Sequence, residues 1–226
     1  MKEINEKGRL IIIEAGDGSG KATQTKALYD HLIADGKSVK KISFPDYESD
    51  SSALVRMYLA GDFGNRPEDV NAFAASTFYA VDRFASYRMN WKEAYDNGTL
   101  ILADRYTTSN MVHQAVKLED GDKRKSFLDW LWDFEFVKLG LPVPDMVIFL
   151  DMDPAVSDKL ITSRAKGKEK DIHERDTSYL HRCHKVYLEL ADKYDWHRIQ
   201  CSENGAPRSI EAIHEDVYTA VKNRLG

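Results

Sequence analysis

Residues 15–24 read Ala-Gly-Asp-Gly-Ser-Gly-Lys-Ala-Thr-Gln, and the chemistry of that run is phosphate binding. Glycines at 16, 18 and 20 let backbone N–H groups converge on phosphate oxygens where side chains would block the approach. Lys21 adds a point charge suited to β- and γ-phosphates, while Ser19, Ala22 and Thr23 complete the loop and the helical turn after it. An apolar run, residues 10–13, leads into the loop and a helix-like segment leaves it, so a helix N-terminus faces the anion. The strict pattern wants glycine at 15 and a hydroxyl at 22, and both positions are alanine here. That hydroxyl ordinarily helps to hold Mg²⁺, so Thr23, water or nearby carboxylates must serve the metal instead. The bland alternative is a glycine-rich turn beside a chance lysine, and the flanking strand and helix count against it.

A second acidic site ends another apolar run. Residues 100–103 are Leu-Ile-Leu-Ala, followed by Asp104, Arg105 and Tyr106. An aspartate at the tip of a buried parallel strand points into the crevice where such sheets bind ligands, and it is a candidate for Mg²⁺ through water. Arg105 can take a phosphate with two parallel hydrogen bonds. An Asp–Arg pair that merely starts a helix is the competing reading.

The elements that must position these groups alternate in type. Short apolar runs at 10–13, 39–44, 100–103, 146–150 and, more weakly, 197–201 read as strands. Helix-like segments fall at 21–35, 51–59, 68–96 in two pieces, 126–139, 154–163, 178–193 and 208–225. That alternation predicts an α/β fold with a parallel sheet covered on both faces, as one domain over residues 1–226. With 226 residues, a second full domain would be cramped. The net charge of -5 argues against a nucleic-acid polymer as partner, so anionic substrates must be held by local positive charge. No stretch approaches a membrane span, the first residues lack the apolar core of a signal peptide, and Cys183 and Cys201 share no metal or redox spacing. A cytoplasmic protein is expected. The run Arg164 to Arg175, RAKGKEKDIHER, is either a solvated loop or a lid over the nucleotide. The stripe Phe127, Leu131 and Phe134, near Trp130 and Trp132, reads as core or as part of a dimer face.

The ordered set EAGDGSGK, FPDY, FYAVDR, DRYTTSN, EFVKLGLPVPD and DIHERD resembles the thymidylate kinase family across nearly the whole chain. The resemblance implies a three-layer P-loop NTPase fold with a five-stranded parallel sheet, a lid at about 164–175, ATP and dTMP as substrates, Mg²⁺ as cofactor and a homodimer. It implies that Gly16, Asp17, Gly18, Ser19, Gly20, Lys21, Ala22 and Thr23 bind ATP. Lys21, Asp17, Asp104, Arg105 and Arg164 would be catalytic, with Asp17 and Asp104 serving the metal and Asp17 also meeting the 3′-hydroxyl of the deoxynucleotide. For dTMP the implied residues are Phe44 and Tyr47 near base and phosphate, Tyr79 stacking on thymine, Arg83 at a base carbonyl, Asn110 at N3, His113 beside the sugar, and Gln114.

Departures from the family pattern are specific. Asp46 stands where many members carry a phosphate-gripping arginine, so it is expected to turn away or to pair with a nearby arginine, leaving more of that task to Arg105. His113 replaces a tyrosine, and Ile172 an arginine at the lid's acidic end, near Asp171, His173 and Glu174. With Gly18 small, Arg164, Lys166, Lys168 and Lys170 become the lid cations of interest, Arg164 first. A kinase of this fold for another nucleoside monophosphate, or a nucleotide-binding regulator without catalysis, stay open as alternatives.

Overall fold

The structure is a computed structural model that describes residues 7–118, 121–164, 172–173 and 175–226. Strand β1 (Leu10–Ala15) is buried along its whole length, which is why its sequence runs apolar without alternation. Helix α1 (Lys21–Ala34) follows the glycine loop, and β2 (Val39–Ser43) returns to the sheet. Next come α2 (Ala53–Ala60), α3 (Ala72–Ser86), a π-helical turn (Tyr87–Trp91) and α4 (Lys92–Asp96). Strand β3 (Leu100–Asp104) leads to α5 (Thr107–His113) and α6 (Asp122–Trp132), which continues as π-helix over Asp133–Lys138. Strand β4 (Met146–Asp151), α7 (Pro154–Arg164), α8 (Thr177–Lys193) and β5 (His197–Gln200) complete the sheet. A hairpin of β6 (Ser202–Glu203) and β7 (Ala206–Pro207) precedes α9 (Ile210–Leu225).

The sheet is five-stranded and parallel in the order β2-β3-β1-β4-β5. It is the three-layer α/β architecture expected from the alternating runs. On one face Ile11, Ile13, Leu102, Ile148 and Leu150 pack with Leu28 of α1 and Val217 and Val221 of α9. On the other, Leu10, Ile12, Ile101 and Ala103 meet Trp91, Tyr95 and Tyr106, and Phe149 joins Phe127, Leu131 and Tyr187. Each fully buried isoleucine of β1 contributes about 2 kcal/mol, so the central strand is a rigid rail for the loop it carries. Strand β2 is an edge, which explains its lysines: Lys40 and Lys41 are charged edge residues that discourage further pairing. Among the described residues no helix is long and apolar enough to cross a membrane.

Candidate active site

The glycine loop takes its shape from backbone conformations that side chains resist. Gly18 and Gly20 have φ of 75° and 83°. A Cβ on Gly18 would stand 2.7 Å from Ile161 Cγ1 and 2.9 Å from the Ser157 carbonyl oxygen, so α7 packs directly on the loop. A Cβ on Gly16 or Gly20 would meet nothing within 4 Å, which leaves open space where an anion can lie. Gly20 caps α1 without a side-chain hydrogen bond, so the first N–H groups of that helix remain available. Ser19 instead donates its hydroxyl to the Gly16 carbonyl at 2.7 Å and braces the turn. Ala22 and Thr23 are exposed on the first turn of α1.

Lys21 Nζ contacts Asp104 at the end of β3, and both groups line one cavity of about 270 Å³. Burial and the Arg105 guanidinium draw Lys21 below the ordinary ammonium range, against the pull of Asp104. Arg105 itself sits in the left-handed region with φ 68°, held there by its N–H to the Ile13 carbonyl oxygen at 3.1 Å. A non-glycine residue there carries about 1 kcal/mol of strain, which the turn between β3 and α5 must offset. Arg105 Nη2 donates to Asp17 Oδ1 at 2.6 Å and Nη1 to Ser109 Oγ at 3.2 Å. Burial alone would raise the Asp17 pKa, but Arg105, with His113 and Lys21, holds it below the usual carboxylate range.

From this charged mouth the cavity runs inward past Ser43, Phe44, Pro45 and Tyr47 to Leu59, Tyr79, Ser109, Asn110, His113, Gln114 and His173. The Phe44–Pro45 peptide is cis, and Phe44 is buried against Tyr106 with ring centroids 5.9 Å apart. Tyr47 is half exposed at the rim. Asn110 donates to the Ser76 carbonyl oxygen at 3.3 Å. Gln114 is 0% exposed, yet among the described residues neither its amide nitrogen nor its oxygen has a partner. A buried amide left unsatisfied costs about 1–3 kcal/mol, so Gln114 marks the inner end of the cavity as built for a polar guest.

One wall was not expected from the sequence. His113 stacks on His173 with centroids 5.5 Å apart and 6° between planes. Tyr58 OH lies 3.1 Å from His173 Nε2 and accepts from Lys117 Nζ at 3.0 Å. Ile172 is buried among Val55, Tyr58, Leu59, Val70 and Ala75, its N–H reaching the Leu59 carbonyl oxygen at 3.3 Å. An isoleucine where the family pattern has arginine is therefore a packing residue on α2. Burial, with Arg105, pushes His113 down to about 4, and burial with His113 and Lys117 holds His173 well below the usual imidazole range; burial also brings Lys117 down to about 8.

Two further expectations meet the geometry differently. Asp46 does not line the cavity, and its backbone N–H donates to Asp82 Oδ2 at 2.9 Å, tying the turn after β2 to α3. Arg83 is a correction. It was expected at the base, but it is 1% exposed, absent from the cavity lining, and paired with Glu135 through Nε at 2.7 Å and Nη2 at 2.5 Å. Thr107 completes that carboxylate with a hydroxyl at 2.6 Å. The π-helical segment after α6 carries Glu135 to face α3, and a buried guanidinium takes the bidentate partner it is offered. Arg164 ends α7, but its side chain lies outside the described residues, as do residues 165–171 and 174 and with them most of the expected lid.

The thymidylate kinase family pattern matches residues 13–217. The thymidylate kinase of Mycobacterium tuberculosis is 32% identical over 188 residues, covering 80% of this chain and 85% of that one. The human thymidylate kinase is 27% identical over 212 residues, covering 93% and 88%. A solved thymidylate kinase from Candida albicans superposes with a TM-score of 0.70 at 22% identity, covering 96% of this chain and 92% of that one, a likeness of fold. With the glycine loop, the Asp104–Arg105 strand end and the deep polar cavity in one crevice, the chain belongs to the thymidylate kinase family.

Proposed function

We propose that this protein transfers the γ-phosphoryl group of ATP to the 5′-phosphate of dTMP, in the cytoplasm. The observation that carries the acceptor assignment is Gln114: a fully buried amide with both polar atoms unpartnered among the described residues, lining the same cavity as Arg105 and Lys21. A pyrimidine offers the matching donor and acceptor edge, and Tyr79 and Phe44 supply flat apolar faces beside it. A phosphate at the other end of the same ligand reaches the arginine. The attacking phosphate oxygen is already ionised, so the reaction needs no strong general base. Positioning and charge neutralisation do the work instead.

In this reading Lys21 and the free N–H groups of the loop orient the donor, and Arg105 meets the acceptor phosphate. Asp17 serves the deoxyribose 3′-hydroxyl as well as the metal, and Asn110 and His113 flank the base and sugar. Arg164 and the lid complete the donor side. The donor chemistry of the site suits Mg²⁺: Asp17 and Asp104 offer hard oxygens, and the Lys21 ammonium already rests against Asp104 as a cation would. Ser43 pairs in register with Asp104 across the sheet and lines the cavity, so its hydroxyl would be available beside Asp104 where position 22 offers none. Held by Asp17 and Asp104, Mg²⁺ would supply charge neutralisation to the phosphates during transfer.

A homodimer is part of the proposal. Phe73, Val81 and Phe84 of α3 and Val137 after α6 are exposed, and Phe73 packs on Trp130, which stacks on Phe134. Such a continuous apolar strip on adjacent helices fits a second copy. Light scattering of the purified protein checks it; a monomer at micromolar concentration contradicts it.

A coupled ADP-release assay with MgATP and dTMP, dUMP, UMP and dGMP in parallel tests the function. Preference for dTMP is the expected result. Turnover only with another monophosphate would move the specificity, and no turnover in folded, ATP-binding protein would favour a regulator.

A further inference from the structure

The most heavily engaged buried group near the cavity plays no part in the reading above. Glu14, the fifth residue of β1, is 0% exposed. Its carboxylate accepts hydroxyls from Thr108 at 2.7 Å, from Ser109 at 2.9 and 3.0 Å across its two oxygens, and from Tyr187 at 2.9 Å. The Ala15 N–H reaches it at 3.1 Å, and Arg105 Nη1 stands 3.5 Å away. All of these are donors, the surroundings that suit an acceptor-only carboxylate. They come from the glycine loop's own strand, from the β3–α5 turn and helix α5, and from α8.

We infer that Glu14 is the positioning residue for Arg105, the fixed counter-charge that keeps the guanidinium aimed into the acceptor cavity while its other carboxylate partner is exchanged for phosphate. The inference rests on the assignment of Arg105 to the acceptor phosphate. Arg105 has two carboxylate neighbours of different character. Asp17, at 2.6 Å, lies on the cavity surface, where an arriving phosphate competes directly for the same guanidinium edge. Glu14 is sealed beneath the loop and is inaccessible to that phosphate. A buried carboxylate stripped of its cation is strongly unfavourable, so Arg105 cannot swing out with the departing Asp17 contact. It pivots with Nη1 still facing Glu14 and Ser109, and Nη2 moves from Asp17 to the acceptor. Asp17 is then released for the sugar hydroxyl and the metal. A merely structural Glu14 would have no reason to face Arg105. Its hydroxyl partners alone could be replaced by apolar packing.

The test is a double-mutant cycle between Glu14→Gln and Arg105→Met. For each protein the dissociation constant of the acceptor is measured by calorimetry, with KM and kcat where turnover allows, using whichever monophosphate the wild type phosphorylates. The amide keeps the shape and most hydrogen bonds but removes the charge. Glu14→Gln is expected to weaken acceptor binding about tenfold, the size of one charge-assisted contact, with ADP affinity unchanged. In the Arg105→Met background the same change should have no further effect. Ser109→Ala, a smaller perturbation of the same bridge, should weaken acceptor binding in the same sense, about threefold, and again only when Arg105 is present. Equal losses in both backgrounds, or unchanged acceptor affinity in either folded variant, would overturn the inference. The identity of the reaction is judged on the wild type alone, so the two readings fail separately.

Discussion

The two ends of the crevice are built on opposite plans. The end proposed for the donor is backbone: glycines, a helix N-terminus and one lysine, all within residues 16–21. The end proposed for the acceptor is side chain: Phe44, Tyr79, Asn110, His113, Gln114 and His173 converge from the turn after β2, from α3, from α5 and the turn that follows it, and from the segment before α8. Phosphate is the same in every nucleotide, so the donor end needs only dense, fixed N–H dipoles. A base must be told from other bases, and that requires hydrogen-bonding groups at fixed places inside a walled cavity. The walls cost polar burial. The buried Arg83–Glu135 pair, the stacked histidines and the orphaned Gln114 all lie on the acceptor side.

This contrast predicts which variants break chemistry and which break structure. Lys21→Met should lower kcat about 10³-fold in protein that still folds, because the charge beside Asp104 is lost while methionine keeps most of the length and packing of the part-buried side chain. A rate within tenfold of wild type would remove Lys21 from the transition state. Arg83→Met should do the reverse. Leaving Glu135 buried without its partner is expected to destabilise the fold by about 3–5 kcal/mol in urea unfolding, and replacing both by apolar residues should recover much of that loss. If Arg83→Met kept its stability and lost only acceptor affinity, the arginine would belong to the base after all.

A smaller effect should appear with pH. The fold keeps His113 neutral down to about pH 4, whereas an unfolded imidazole protonates near 6.5. The unfolded chain therefore takes up protons first as the solution is acidified. Stability from this group is full above about pH 6.5 and falls by about 1.4 kcal/mol per pH unit below it, towards pH 4. His173 adds in the same direction. His113→Asn should flatten the slope of urea stability between pH 6 and 5; an unchanged slope would mean that acid acts elsewhere.

The same contrast governs what the sequence disclosed. The donor end was legible because its chemistry is local: residues 10–21 contain strand, loop and charge in order, and the Asp104–Arg105 strand tip is as compact. The strands were legible as well, since burial on both faces forces apolar runs such as residues 10–13. Helix α5 was not, because Thr107–His113 is short, polar and without an apolar stripe. The π-helical turns at Tyr87–Trp91 and Asp133–Lys138 carry no distinguishing composition. The β6–β7 hairpin carries its signal in Asn204-Gly205, both at positive φ, the pair a tight hairpin turn favours. Local spacing does not reveal the role of Arg83, whose partner is 52 residues away, or of Glu14, whose partners Thr108, Ser109 and Tyr187 are 94 to 173 residues distant. Spacing motifs speak for groups that act together locally, and the acceptor wall is assembled by topology.

The most direct test of the acceptor cavity is a calorimetric titration of dTMP into wild type and Gln114→Leu, each without ATP, with ADP as the control ligand. The account predicts that dTMP affinity falls at least about tenfold in the variant while ADP affinity is unchanged, because only the acceptor loses a buried hydrogen-bonding partner. Equal dTMP affinity in the two proteins would show that Gln114 does not face the base and would contradict the assignment of this cavity.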